Sequence, residues 1–232
     1  MVCFIPARSG SRGITNKNIR FLGDKPLMAW SIETALACGL TPIVDSDSPE
    51  YLEVARAYGA ETLLRPAELA KDDTPMLAVL QAEIPRIEPM PDVVVLLQPT
   101  TPFRSKEKLL EGIEKIKEGY DSIVSVSRVT SPHPDEMFVE TNVGLRMASG
   151  VPIRKRITRR QDHRPAYVPT GSFYIFKTSN LLGGSVFGDS GSIYGSRVGI
   201  VVEDETVNIN SEEDWEKAEQ LVKELEYDDQ DY

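Results

Sequence analysis

The sequence predicts an α/β fold built on a mostly parallel sheet, and three observations lead to that prediction. Short apolar runs alternate with helix-like segments as far as Val126, which is the pattern of successive βαβ units. Residues 93–97 are all Val or Leu, as in a strand that is covered on both faces. The 232 residues, 41% of them hydrophobic, can bury one sizeable core, so we expect a single domain over 1–232.

The individual elements follow from the apolar runs and from the Gly, Pro and Ser residues that flank them. The predicted strands cover residues 2–6, 41–44, 61–64, 92–97, 122–126, 172–176 and 197–202. The predicted helices cover residues 26–39, 49–58, 74–84, 106–117 and 212–225, with Ser105 and Ser211 as N-caps of the last two. In a parallel sheet of this kind the ligand site lies beyond the carboxyl ends of the strands.

The regular alternation stops after Arg128. Residues 132–164 show no helical period, and we expect 137–139, 145–148 and 151–154 to form short strands or a projecting arm. The segment from Arg154 to Arg164 is rich in arginine, which suits a local anionic ligand, although a charged solvent-exposed loop is an equal alternative.

Charge and composition exclude several classes of protein. The net charge of −10 argues against a general nucleic-acid binder, which would show a basic face. No apolar run approaches the ~20 residues that cross a bilayer, and no charged leader precedes the first strand, so we expect a cytoplasmic protein without membrane contact. Cys3 and Cys38 are the only cysteines and His133 and His163 the only histidines. Their spacing does not suit zinc, and we expect two buried free thiols.

The loop from Arg8 to Asn18 follows the first strand and has the composition of an anion-binding loop. It contains two glycines, which allow a close backbone approach to phosphate oxygens, and three cations, Arg8, Arg12 and Lys17. It lacks both the Gly-x-Gly-x-x-Gly pattern of dinucleotide sites and the Gly-Lys-Ser/Thr ending of a Walker A loop. From the residues alone, phosphate binding and a flexible solvent loop both remain open.

Four motifs together resemble those of one family, the acylneuraminate cytidylyltransferases. They are Ile5-Pro6-Ala7-Arg8-Ser9-Gly10-Ser11-Arg12-Gly13-Ile14 with Asn16-Lys17-Asn18, Arg65-Pro66-Ala67-Glu68-Leu69-Ala70 with Asp72, Leu96-Leu97-Gln98-Pro99-Thr100-Thr101-Pro102-Phe103-Arg104, and Gly171 before Tyr174-Ile175-Phe176. The family includes CMP-sialic acid synthetases and relatives that act on legionaminic and pseudaminic acids.

This resemblance implies a fold, a reaction and partners. The fold would be the nucleotide-diphospho-sugar transferase (GT-A-like) fold, a three-layer α/β/α sandwich in which residues 129–170 project as an arm that helps to form a homodimer. The reaction would transfer CMP from CTP to the anomeric hydroxyl of a sialic-acid-like keto-sugar acid and release pyrophosphate, with Mg²⁺ as the cofactor. Catalysis would rest on positioning and on charge neutralisation.

The resemblance also implies roles for individual residues. Triphosphate binding is implied for Arg8, Ser11, Arg12 and Lys17, with Arg8 and Lys17 also catalytic, and nucleoside binding for Asn18 and Arg65. Sugar binding is implied for Gln98, Arg160 and Tyr174. Each of four residues has a simpler alternative: a surface ion pair with Glu68 for Arg65, a strand-end cap for Gln98, a solvated basic loop for Arg160 and a place in the core for Tyr174.

The chain departs from the family pattern at the predicted metal site. The last strand of the family usually ends in Asp-Ile-Asp, whereas this chain has Asn208-Ile209-Asn210. Amide oxygens can ligate Mg²⁺ but carry no charge, so Asn208 and Asn210 are either weaker metal ligands, helped by Asp204 and Glu205, or residues that only shape a turn.

Two further segments depart from the family pattern. Asp45-Ser46-Asp47 stands where Ser-Thr-Asp is commoner, and Val168 and Thr170 stand where Arg and Asn are usual. A CMP-sugar synthetase, a nucleotidyltransferase for another base or sugar, and a non-catalytic CTP-binding relative are therefore all possible.

Overall fold

A computed structural model describes residues 1–183, 191–204 and 206–228, except for the side chains of Arg160 and of residues 226–228. In that part of the chain the strands are β1 (Val2–Pro6), β2 (Phe21–Leu22), β3 (Lys25–Pro26), β4 (Pro42–Ser46), β5 (Glu61–Leu64), β6 (Val93–Leu96), β7 (Ser122–Arg128), β8 (Phe138–Thr141), β9 (Gly144–Met147), β10 (Tyr167–Lys177) and β11 (Val198–Val202). The α-helices are α1 (Leu27–Ala37), α2 (Pro49–Ala57), α3 (Met76–Glu83), α4 (Lys106–Lys117), α5 (Thr178–Leu181) and α6 (Glu212–Asp228).

Seven of these strands form one central sheet in the order β11-β7-β10-β6-β1-β4-β5. All neighbouring pairs are parallel except those that involve β10, which runs antiparallel to both β6 and β7. The predicted α/β class with a mostly parallel sheet is therefore confirmed. The carboxyl ends of β1, β4 and β6 consequently lie side by side at one edge of the sheet.

Helices cover both faces of the sheet, and alternate residues of β1 show how. Cys3 and Ile5 belong to a buried cluster with residues of α1, α2 and α4, whereas Phe4 belongs to a second cluster with residues of α3 and α5. Successive strand residues point to opposite faces, so the two clusters lie on opposite sides of the sheet. This arrangement gives the three layers that the resemblance implied.

The structure corrects three of the local predictions. Residues 151–154 are not a strand, because Pro152 precedes a short 3₁₀ helix at Ile153–Lys155. Strand β10 begins at Tyr167 rather than at residue 172, and its pairing with β7 shifts register between Pro169 and Tyr174. Pro169 and Gly171 lie inside this irregular stretch and interrupt the alternating pattern that would otherwise indicate a strand there.

The third correction is that Cys38, unlike Cys3, is only half-buried, since it follows the last residue of α1. In the described part of the chain no helix combines the length and the apolar character that crossing a membrane requires.

A third buried cluster lies outside the sandwich and joins the loop after β1 to the last helix. Trp215 and Ala218 of α6 pack in it with Ile14, Leu22 and Ile209. The Arg20 guanidinium lies 4.2 Å from the centroid of the Trp215 ring, and Arg20 also pairs with Glu212 at 2.7 Å. Through this cluster α6 supports both the loop that follows β1 and the turn that contains Ile209.

Truncation of Trp215 should therefore destabilise the whole chain. Trp215 is 1% exposed, so Trp215→Ala leaves a large cavity and should lower the free energy of unfolding by about 3–5 kcal/mol. Leu225 lies on the same helix but is 51% exposed, and Leu225→Ala should change that free energy by no more than ~0.5 kcal/mol. Urea denaturation followed by circular dichroism measures both. A loss below ~1 kcal/mol for Trp215→Ala would show that α6 contributes little to the fold.

Candidate active site

A cavity of about 150 Å³ opens at the carboxyl ends of β1, β5 and β6. Its lining brings together residues that are far apart in the sequence: Pro6, Arg8, Ser11, Lys17, Asn18, Arg65, Met76, Gln98, Pro99 and Thr100. Six of the residues predicted to bind substrates are among them. The cavity therefore lies where the topology of an α/β sheet places a ligand site.

The loop after β1 is held in shape by its own hydrogen bonds. Asp47 accepts hydrogen bonds from the backbone N–H of Ser9 (2.8 Å) and from its hydroxyl (2.6 Å). Burial disfavours the charged form of Asp47, but these bonds outweigh it and hold the pKa of that carboxyl below its usual value. The Asn18 amide donates to the carbonyl of Arg8 (2.9 Å). These contacts favour a structured anion-binding loop over a flexible one.

Lys17 and Gly13 connect this loop to the segment Asn208–Asn210. The Lys17 ammonium donates to the carbonyl of Ile209 at 3.0 Å, and a Cβ at Gly13 would lie only 2.3 Å from the carbonyl oxygen of Asn210. Glycine is therefore required at position 13 by close backbone packing. Burial and then the nearby Arg8 lower the pKa of Lys17, and Asp214 opposes this shift.

Arg8 and Arg12 both pair with one carboxylate, that of Asp72. Arg8 Nη2 lies 2.7 Å from Asp72 Oδ1, and Arg12 Nε donates to Asp72 Oδ2. The hydrogen bonds from Arg12 and then Arg8 hold the pKa of Asp72 below its usual value. The Arg12 side chain is 78% exposed and does not line the cavity, unlike that of Arg8. Asp72 is therefore the carboxylate partner of both arginines in this structure.

Arg65 is not the surface residue that the simpler alternative supposed. Its side chain is 2% exposed and pairs with Asp45, which is fully buried, and Glu68 is not its partner. Arg65 Nε and Nη2 lie 2.7 Å and 2.6 Å from the same oxygen, Asp45 Oδ2. A buried arginine that also lines a cavity is suited to recognise a ligand in fixed geometry.

Gln98 separates the first cavity from a second one of about 300 Å³. Gln98 and Met76 line both cavities, and the second also includes Leu77, Leu80, Leu96, Tyr174, Ser192, Ile193 and Tyr194. The side chain of Gln98 makes no hydrogen bond to the described residues. The backbone carbonyl of Gln98 instead accepts hydrogen bonds from Arg104 and from the N–H of Thr101 (3.1 Å). The backbone of Gln98, not its side-chain amide, therefore makes the hydrogen bonds at the end of the strand.

Asn208 and Asn210 lie beside the anion-binding loop and are exposed. The N–H of Ile209 between them donates to the carbonyl of Thr100 (2.7 Å), and that of Asn210 donates to Asp214 Oδ2 (3.0 Å). Asp214 also accepts from the N–H and hydroxyl of Ser211, and these hydrogen bonds, that from Asn210 first, hold its pKa below its usual value. Asp214 is therefore committed to the start of α6.

The donors near this turn are thus neutral amides. Within the described ranges no three or more His, Cys, Asp or Glu residues are grouped as they would be around a metal ion. The amide oxygens of Asn208 and Asn210 fit a Mg²⁺ ion only if most of its ligands come from elsewhere, such as phosphate oxygens and water.

Other predicted residues lie apart from this cavity or outside the description. Glu205 and the side chain of Arg160 belong to the parts of the chain that the structure does not describe. Asp204 lines a different cavity, of about 610 Å³, beyond the ends of β7 and β11.

Comparison with known proteins decides the family. A family model described as Cytidylyltransferase matches residues 2–230. The chain belongs to the cytidylyltransferase family. The predicted nucleotidyltransferase class and the resemblance to acylneuraminate cytidylyltransferases are thereby confirmed.

Two relatives illustrate the range of this family. An N-acylneuraminate cytidylyltransferase of Escherichia coli is 40% identical over 136 residues, 57% of this chain and 32% of the relative. The post-translational flagellin modification protein B of Campylobacter coli is 29% identical over 235 residues, 97% of this chain and 95% of the relative. The chain thus spans about a third of the first relative but nearly all of the second.

A solved structure confirms the cytidylyltransferase fold. The structure of a CMP:2-keto-3-deoxy-manno-octonic acid synthetase complexed with CTP superposes with a TM-score of 0.71 over 97% of this chain and 98% of the other, at 16% identity. At this identity the likeness concerns the fold alone, and it agrees with the predicted nucleotide-sugar transferase architecture.

Two acidic residues of the site received no role from the sequence. Asp45 was noticed only as a departure from the family pattern, and Asp72 only as part of a motif. Their partners, Arg65 and Arg8, are 20 and 64 residues away in sequence, and only the fold brings them together. The unusual Asp at the end of a buried strand was the one available signal, since a buried carboxylate needs a cation.

Removal of the Asp72 charge should strengthen triphosphate binding. Exposed ion pairs contribute ~0–1 kcal/mol each, so Asp72→Asn should lower the dissociation constant for inorganic triphosphate about three- to tenfold, measured by isothermal titration calorimetry. Asp73→Asn makes the same change of charge at the next residue, where the described chain provides no ion pair, and should have less than half that effect. Weaker binding by Asp72→Asn would instead assign Asp72 a direct role in holding the ligand.

Proposed function

We propose that this cytidylyltransferase transfers CMP from CTP to the anomeric hydroxyl of a sialic-acid-like keto-sugar acid and releases pyrophosphate. The observation that carries the proposal is the convergence of Arg8, Ser11, Lys17, Arg65 and Gln98 on one cavity at the carboxyl edge of the sheet. Together they offer cations for a triphosphate, a buried guanidinium for a nucleoside and an unused amide for a sugar.

The proposed chemistry follows from where the charges lie. The sugar hydroxyl oxygen forms a bond to the α-phosphorus, the bond from that phosphorus to the bridging oxygen breaks, and pyrophosphate leaves while the hydroxyl proton passes to solvent. Negative charge grows on the departing β-phosphate, where Arg8 and Lys17 would neutralise it. Among the described residues, neither cavity has a carboxylate in its lining, so these residues present no like charge to the attacking oxygen.

The second cavity is the proposed place of the acceptor sugar. It adjoins the first through Gln98, whose free amide can bond to sugar hydroxyls, and Tyr174 lines it from β10. Burial raises the pKa of Tyr174, which keeps its hydroxyl a hydrogen-bond donor. The name of the Escherichia coli relative, N-acylneuraminate cytidylyltransferase, supports a sugar acid as acceptor. Arg160 remains the predicted partner of its carboxylate.

We propose that Mg²⁺ enters this site bound to CTP, with the amide oxygens of Asn208 and Asn210 as additional ligands. The ion would offset the charge of the triphosphate when bound. The chain contributes by placing both residues against the loop that holds the phosphates, through the Ile209–Lys17 and Asn210–Gly13 contacts. A donor set without carboxylates supports a weak protein contribution to metal binding.

We further propose that residues 129–170 project as an arm through which two copies form a homodimer. The β8–β9 hairpin in this segment exposes Phe138, Val139, Val143 and Leu145. Clustered exposed apolar side chains are typical of a surface that another protein covers.

The function is tested by pyrophosphate release with Mg²⁺, each of the four nucleoside triphosphates, and sialic, legionaminic, pseudaminic and shorter keto-sugar acids. We expect release only with CTP and one class of acid. Arg8→Ala should reduce turnover at least ~100-fold because a preorganised charge at the leaving group is lost, while the fold is retained. Heat stabilisation by CTP without turnover on any acid would favour a non-catalytic nucleotide-binding protein.

Asn208 and Asn210 are tested by restoring charge. Asn208→Asp with Asn210→Asp should lower the Mg²⁺ concentration for half-maximal activity by about tenfold, since carboxylates bind Mg²⁺ more tightly than amides do. Glu213→Gln is a control at the nearby start of α6, where a side chain that pairs with Lys217 should not affect the metal. An unchanged Mg²⁺ titration of the double variant would show that these residues only shape the turn.

A further inference from the structure

Arg65 and Asp45 form the most deeply buried ion pair of the described residues. The pair lies beside the first of the two cavities, which is called the nucleotide cavity below. The Arg65 side chain is 2% exposed and that of Asp45 is fully buried. Asp45 Oδ2 accepts from both Nε (2.7 Å) and Nη2 (2.6 Å), and the Asp45 carbonyl lies 3.3 Å from Nη2. Removing two charges from water is costly, so a pair held this way needs a reason beyond stability.

The pair leaves one end of the guanidinium available. Nε and Nη2 are engaged by Asp45, whereas the described residues provide no hydrogen bond to Nη1. Because Arg65 lines the nucleotide cavity, its unused donors can serve a ligand there. The orientation of the planar guanidinium is fixed by the two bonds to Asp45 at its opposite side.

We propose that Asp45 is a positioning residue that orients Arg65 so that Nη1 donates to a hydrogen-bond acceptor on the nucleoside part of CTP. The inference rests on the proposed function and adds to it a residue that touches no substrate. Asp45 lies at the end of β4, and its carbonyl also accepts from the N–H of Ala7, next to Arg8. The same residue thus ties the orientation of Arg65 to the strand that begins the anion-binding loop.

A second buried carboxylate allows this role to be separated from general stability. Glu83 of α3 is buried and pairs with Arg86 rather than with Arg65. Burial raises the pKa of Asp45 to about 6, Arg65 opposes the shift, Glu83 adds to it and Arg86 opposes it. Asp45 and Glu83 therefore have similar surroundings, but only Asp45 contacts the cavity-lining arginine.

The test compares Asp45→Asn with Glu83→Gln in steady-state pyrophosphate release. Asp45→Asn keeps the shape of the side chain and removes its charge, so we expect the KM for CTP to rise about tenfold with kcat changed less than twofold, as for an interaction made equally in ground and transition states. Glu83→Gln should leave the KM for CTP within about twofold of the wild-type value, even if it lowers the melting temperature as much as Asp45→Asn does.

A pH profile adds a measurement that a purely structural role would not change. As the pH falls through about 6, Asp45 takes up a proton and loses the charge that holds Arg65, so kcat/KM for CTP should fall more in the wild type than in Asp45→Asn. CTP also titrates in this pH range, but it does so equally in both assays. The ratio of kcat/KM between the wild type and Asp45→Asn at each pH therefore reports on Asp45 alone.

The outcomes separate this inference from the proposed function. The positioning role is overturned if the KM for CTP of Asp45→Asn lies within twofold of the wild-type value, or if Glu83→Gln raises that KM equally. Turnover by the wild type upholds the proposed function in either case. Should Asp45→Asn not fold, Arg65→Gln with Asp45→Asn removes both charges and avoids an unpaired buried ion. Its KM should equal that of Arg65→Gln alone, and a further rise would show that Asp45 does not act through Arg65.

Discussion

Mutual repulsion among cations is the constraint on which the site depends. Arg8, Arg12, Lys17 and Arg65 are gathered at one edge of a sheet in a protein whose net charge is −10. The chain satisfies them one by one: Asp72 pairs with the first two, a carbonyl accepts from Lys17, and Asp45 pairs with Arg65. The exposure of each carboxylate matches the role proposed for the arginine that it contacts. In the proposed function a triphosphate would replace exposed Asp72 at small cost, whereas buried Asp45 would stay paired with Arg65.

The same constraint explains why the last helix matters to a loop near the start of the chain. The anion-binding loop contacts the Asn208–Asn210 turn through Lys17 and Gly13, and that turn contacts Thr100 through the N–H of Ile209. Ile209 and Ile14 are then fixed by the apolar cluster around Trp215. Packing energy from α6 therefore stabilises a backbone arrangement that would otherwise be opposed by charge repulsion.

Much of the fold followed from the sequence because local signals agreed with the final structure. The strand at 93–97 and the helix capped by Ser105 carry apolar patterns and caps that do not depend on distant residues. Strand β10 was shortened in the prediction because Pro169 and Gly171 break its pattern, although pairing with β7 maintains it. The six cavity residues followed from motifs, but the carboxylates that hold them did not, since Asp45 and Asp72 meet their partners only through the tertiary fold.

Asn208 and Asn210 do more than replace strong metal ligands by weaker ones. They also remove two negative charges from this edge of the sheet. Two carboxylates there would repel a triphosphate unless a metal ion lay between them. With neutral amides that repulsion is absent, and in the proposed function the cations of the loop would act on the phosphates directly. The protein cations would then do a larger share of the neutralisation, and Mg²⁺ a smaller one. Lys17 suits this balance, because burial and the nearby Arg8 lower its pKa and an anion beside it would offset both effects.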